Sequence, residues 1–191
     1  MKKIIFITIL LMNIALQAQV TNQENSLTNK YYSKLISLYK SKHFLFSDVL
    51  KTTDKVTKVE IIPLAAANSG ELTTLLYKSE ERSMEGLVLG FYNDYATDFN
   101  AARQAYAFKN LPKDKAMEFL SKISTAIDEY KSYLREDYDN NNIFFKYDDI
   151  EILVSRGTYE MEIRIFWNGY DATWERTAFD RSKRRFERKM K

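Results

Sequence analysis

The chain reads as an α+β fold: an antiparallel sheet of about 5–7 strands with two helices packed on it, and a further helix at the N-terminus. Three observations predict this. Tyr159 to Trp167 alternates strictly between two faces, with Tyr159, Met161, Ile163, Ile165 and Trp167 on one side, as in a strand half buried and half wet. Ala116, Leu120, Ile123, Ile127, Tyr130 and Leu134 step by four and three, the apolar stripe of an amphipathic helix. Short apolar or β-branched runs between polar turn clusters occupy much of the rest.

The N-terminus has a separate logic. Met1-Lys2-Lys3 is a positive start, Ile4 to Met12 is apolar sequence apart from Thr8, and Ala15-Leu16-Gln17-Ala18 ends on a small residue. That layout predicts a signal peptide over 1–18, cleaved after Ala18. The apolar run is shorter than the roughly 18–20 residues that span a bilayer, and no Cys follows it to carry a lipid. The expectation is an exported protein, periplasmic or secreted, with no transmembrane anchor after cleavage. Residues 19–26 are polar and read as a disordered linker, leaving 27–191 as a single α+β domain.

Within that domain, Leu27, Tyr31, Leu35, Leu38 and Tyr39 predict a helix that fades near His43. Lys51 to Lys58 is a polar connection. Val56 to Ile62, ending at Pro63, then Glu71 to Lys78 and Gly86 to Tyr92 predict a three-strand meander. Tyr95 to Asn110 fits two descriptions: its alanines favour helix, whereas Ala105, Ala107 and Lys109 alternating with Tyr106 and Phe108 favour strand. Pro112 opens the main helix, whose stripe Phe119, Ala126 and Tyr133 widen, and Asp137 to Asn142 ends it. Ile143 to Tyr147 and Ile150 to Val154 are strands. Asn168-Gly169 closes the long alternating strand. From Ala172 or Thr173 to Met190 a basic helix carries a narrow stripe of Ala178, Phe179, Ser182, Phe186 and Met190. Gly86 to Tyr130 and Asp149 to Met190 both read strand, strand, helix, the pattern of a duplicated β-β-α unit.

Composition removes several chemistries. With no Cys and one His, thiol nucleophiles, Cys-ligated metals and multi-histidine centres are excluded. Loss of Lys2 and Lys3 from 29 basic residues leaves 27 against 26 acidic, a mature charge near +1. The distribution is uneven: 128–151 holds eight acidic and three basic residues, and 174–191 holds eight basic and three acidic. The basic end suggests contact with an anionic surface. No nucleic-acid partner is expected of an exported chain; the partner would be an unknown envelope or extracellular one.

Two patterns nominate sites. Trp167, Tyr170 and Trp174 surround an Asn-Gly pair, and aromatic rings beside amides can stack on sugar or peptide faces. Asp137, Asp139, Asn141 and Asp148 place oxygen ligands at the first, third, fifth and twelfth positions of a twelve-residue stretch that resembles an EF-hand calcium loop. That resemblance implies calcium as the one cofactor to consider. Asn142 stands where the glycine belongs, Phe145 replaces a ligand, Asp148 is shorter than the usual Glu, and a strand follows instead of a helix. No catalytic constellation emerges. The reading is a non-enzymatic binding or envelope-associated protein. The alternatives are a calcium-stabilised structural module, or an envelope hydrolase acting on saccharide or peptide through carboxylates such as Asp94, Asp98, Asp148 and Asp149.

Overall fold

A computed structural model describes residues 35–65, 71–96, 102–137, 140–157 and 160–191. The chain divides into two units, Met1–Ile36 and Ser37–Lys191, and the second holds both sheets. The expected signal peptide, the linker and the start of the first helix lie outside the described residues.

Helix α1 covers 35–44 and runs on into a π-helical turn, Leu45–Val49. Eight strands follow as two antiparallel meanders. β1 (Glu60–Pro63), β2 (Leu72–Ser79), β3 (Met84–Ala96) and β4 (Ala102–Pro112) form the first sheet. β5 (Ile143–Tyr147), β6 (Ile150–Arg156), β7 (Met161–Trp167) and β8 (Tyr170–Glu175) form the second. Between them come α2 (Lys113–Glu129) and the short α3 (Tyr133–Glu136), and α4 (Arg176–Met190) ends the chain. The α+β class is as expected, but the strands divide four and four instead of forming one sheet.

Two local features account for the extra strands. The doubtful segment 95–110 falls mostly within two strands, β3 and β4. Asn168-Gly169 is a two-residue turn into another strand, so the last helix starts at Arg176. The recurring unit is therefore longer than β-β-α: a four-stranded meander that passes directly into a helix, at Pro112 and again at Glu175.

One apolar core joins both sheets. It takes Leu72, Leu76, Leu87, Leu89 and Phe91 from the first sheet and Ile150, Ile152, Val154, Ile163, Ile165 and Trp174 from the second. Helix α2 adds Phe119, Leu120 and Ile123, and α4 adds Phe179 and Phe186. Each such side chain, fully buried, stabilises the fold by roughly 1.5–3 kcal/mol. The expected α2 stripe breaks at Tyr130, where a turn separates α2 from α3. That break lets Leu134 reach the interior while Tyr130 and Tyr133 face solvent.

The first sheet is buried on its other face too. Leu75, Tyr77 and Val88 pack with Leu45 and Leu50 beneath α1, which is why Leu75-Leu76-Tyr77 is apolar without alternation. Helix α1 sits close because its buried line is Ser37, Ser41 and Leu45; Tyr39, expected on the apolar face, is 65% exposed. Ser41 Oγ donates to the Ser37 carbonyl at 2.8 Å, and the Ser37 and Thr73 hydroxyls share a hydrogen bond of 2.8 Å. Gly90 lies below: a Cβ there would stand 2.6 Å from Ser41 Oγ. The helix does not fade at His43, because Phe44 stacks on Phe108 with centroids 5.3 Å apart and Leu45 is wholly buried.

Gly86 is the tighter glycine. Tyr77 lies across from it, and a methyl group would overlap the Leu111 carbonyl and come 2.9 Å from Tyr77 Oη. Gly86→Ala is expected to lower stability by about 1–3 kcal/mol through overpacking against backbone that cannot yield. A urea-denaturation midpoint equal to that of the wild type would refute this packing.

Candidate functional site

The site grows from two tight turns. β7 and β8 are joined by Asn168 (φ 51°) and Gly169 (φ 77°), a two-residue loop whose positive φ values match the twist of paired strands. Trp167 and Tyr170 flank that loop as cross-strand neighbours. They share the inward face with Ile165 and Ala172, but at the rim, so both rings are half-buried and packed against the core. β5 and β6 are joined through Asp148, at φ 49°, and Asp149. Asp tolerates that left-handed backbone better than most residues.

These turns put Asp149 beside Trp167. The indole Nε1–H donates to Asp149 Oδ2 at 2.8 Å. Lys109, on β4 of the first sheet, donates to both carboxylate oxygens at 2.7 and 2.8 Å. Its ammonium lies 5.3 Å from the centre of the Trp167 ring, and Phe91 packs against the same ring at 5.8 Å. The hydrogen bond from Lys109 is the main cause that holds the Asp149 carboxyl below its usual range, with Trp167 adding to it against a desolvation penalty. A carboxylate so engaged is ionised at neutral pH and suits a clamp better than a general acid, which needs a raised pKa. What it clamps is an aromatic ring with one face packed.

Around this ring opens a shallow cavity of about 410 Å³, lined by Asp149, Glu151 and residues 166–171. Asp171 in its wall is held by Arg164, whose Nε donates at 2.7 Å. The lining offers aromatic surface, carboxylates and the Asn168 amide, donors and acceptors of the kind that orient a polar ligand.

The nominated residues separate. Trp167 and Tyr170 come together at the hairpin end. Trp174, further along β8, is 0% exposed and meets Phe179 edge-on at 5.1 Å, so it is a core residue. In the acidic stretch, Asp137 accepts from the Asn140 amide at 2.9 Å, and the Asn141 amide donates to the Tyr133 carbonyl at 2.7 Å. Asp139 lies outside the described residues. Asp148 stands at the far end of β5, 3.6 Å from Lys115. Among the described residues, no three His, Cys, Asp or Glu side chains gather as metal ligands would. Asp148 and Asp149 turn to different lysines, Asp98 lies outside the described residues, and His43 is exposed on α1.

Lys109 and Phe91 were not legible as site residues. No local pattern links Lys109 to Asp149, which lies 40 positions away. The Asn-Gly pair between apolar residues was the one usable signal, since it places Trp167 opposite Tyr170. On α4, Arg181, Arg184 and Arg188 are exposed and have no carboxylate partner among the described residues. By contrast Arg176, Lys183 and Lys189 pair with Asp180, Glu187 and Glu60. No protein-family model, curated protein or solved structure matches the chain.

The clamp makes stability depend on pH in a defined direction. Because the folded carboxyl of Asp149 titrates below its unfolded value, near 4, its contribution is complete above that value. It is lost as pH falls through the lower, folded value. Asp149→Asn should therefore lower the unfolding free energy at pH 7, by less than about 1 kcal/mol at this half-exposed site, and lower it by less at pH 2. An equal loss at both pH values would show that charge plays no part.

Proposed function

We propose that the protein is an exported, non-enzymatic binding protein associated with the cell envelope, with Trp167 and Tyr170 as its ligand anchors. The observation that carries this reading is the Lys109–Asp149–Trp167 clamp. It fixes a half-exposed indole at the mouth of an open cavity, and a ring held rigid binds without further loss of conformational freedom. The aromatic faces would stack on saccharide or peptide, with Asn168 and Glu151 supplying polar contacts. Trp174 supports the hairpin from the core. Envelope association draws on α4: the exposed Arg181, Arg184 and Arg188 fall at spacings of three and four along one side of the helix, a cationic ridge facing solvent.

Co-sedimentation of the purified chain with washed envelope fragments tests the reading. The wild type should pellet saturably, and Trp167→Ala with Tyr170→Ala should lose retention at least about tenfold, with a cooperative thermal transition above the assay temperature showing that the variant is folded. Unchanged retention without both rings would remove the hairpin end as the ligand surface.

A further inference from the structure

Each meander's helix flanks the outer edge of the other sheet, and the two edges are treated differently. α4, which follows the second sheet, lies along β1 of the first. Ser182 Oγ donates to the Ala65 carbonyl at 3.2 Å, an Arg185 amine donates to the Pro63 carbonyl at 3.1 Å, and Lys189 reaches Glu60 at 3.6 Å. Pro63 itself has no N–H to leave unpaired. Side chains of α4 thus lie along that edge and cap its Pro63 carbonyl.

α2, which follows the first sheet, lies beside β5 in the same way, but there the edge is open. Tyr147 and Ile150 flank a two-residue turn, so they hydrogen-bond to each other, as do Phe145 with Ile152 and Ile143 with Val154. Phe144 and Lys146 then point their backbone groups outward. The Lys146 carbonyl confirms this by accepting from Lys122 Nζ of α2 at 2.8 Å. The outward N–H and C=O of Phe144 have no partner among the described residues. The space between α2 and this edge is a groove of about 760 Å³, with Ala126, Tyr130 (47% exposed) and Phe144 (55% exposed) along it.

We infer that this groove accepts an extended, basic peptide segment of a partner protein as a fifth strand of the second sheet. Unpaired edge backbone is complemented by another extended chain, and alternate side chains of that chain would enter the groove. The charge on the walls selects its composition. Glu118 and Glu129 line the groove with one lining cation, Lys122, which is bound to the Lys146 carbonyl; Glu118 also meets Lys115 at 3.9 Å, and Glu129 has no ionic partner among the described residues. This site stands apart from the Trp167 hairpin and does not depend on it.

A fluorescein-labelled peptide of alternating valine and lysine, titrated with the purified chain and followed by anisotropy, provides the test. Saturable binding is expected. Methylating the peptide's alternate amides, or replacing its lysines with glutamates, should each weaken it about tenfold or more. Glu129→Lys should weaken the lysine peptide and strengthen the glutamate peptide. Phe144→Pro should abolish binding of both, since it removes an outward N–H and leaves the β5–β6 ladder intact. Thermal midpoints check that both variants fold, and Glu129→Lys remains informative if Phe144→Pro does not. Absence of saturable binding, indifference to amide methylation and to Glu129→Lys, or a Phe144-dependent dimer in sedimentation would each overturn the proposal, the last by giving the edge to a second copy of this chain.

Discussion

The two sheets depend on a single shared interior, and that constraint orders the rest of the molecule. β2 and β3 meet β8 at a seam. Glu71 accepts from the Thr173 backbone N–H at 3.1 Å through its carboxylate, and from Tyr92 at 2.9 Å through its carbonyl. Behind the seam lie Phe91, Trp174, Phe179 and Phe119, all without solvent exposure. Neither sheet could bury its inner face alone, because a four-stranded meander with one helix leaves apolar surface that only the other unit covers.

From that constraint the exposed features follow. The sheets meet with β4 close to the β5–β6 turn, and this brings Lys109 to Asp149 and thereby locks Trp167 at the rim of the core. The helices pack over the shared interior and so end up beside the sheet edges of the opposite unit. One edge is filled by α4 side chains, and the other keeps a groove. The binding surfaces proposed for this chain are thus by-products of how two similar meanders share a core.

Sequence pattern revealed the elements with strong periodicity. The alternation around Ile163 and Ile165 and the stripe from Ala116 to Ile127 both stand where expected, because each faces one apolar environment with a fixed repeat. Misreadings arose where an element faces two environments. α1 buries Ser37 and Ser41, residues that an apolar stripe does not register, since Gly90 beneath them lets the backbone approach. β8 was read as the start of a helix because its six residues are short and their neighbours strongly basic. At the site, Trp167 and Tyr170 were visible through the Asn-Gly turn. Trp174 shares their inward face, but four residues further from the turn than Tyr170 it lies inside the core instead of at the rim. Lys109 was invisible, since its role comes from tertiary contact alone.

The central claim is that both sheets form one cooperative structure around a common interior. Native-state hydrogen exchange across a urea series tests it most directly, by comparing amides of β2–β3 with those of β6–β7. The account predicts that both sets converge on one opening free energy with the same urea dependence. Two sheets that open separately, with distinct free energies and distinct slopes, would contradict it.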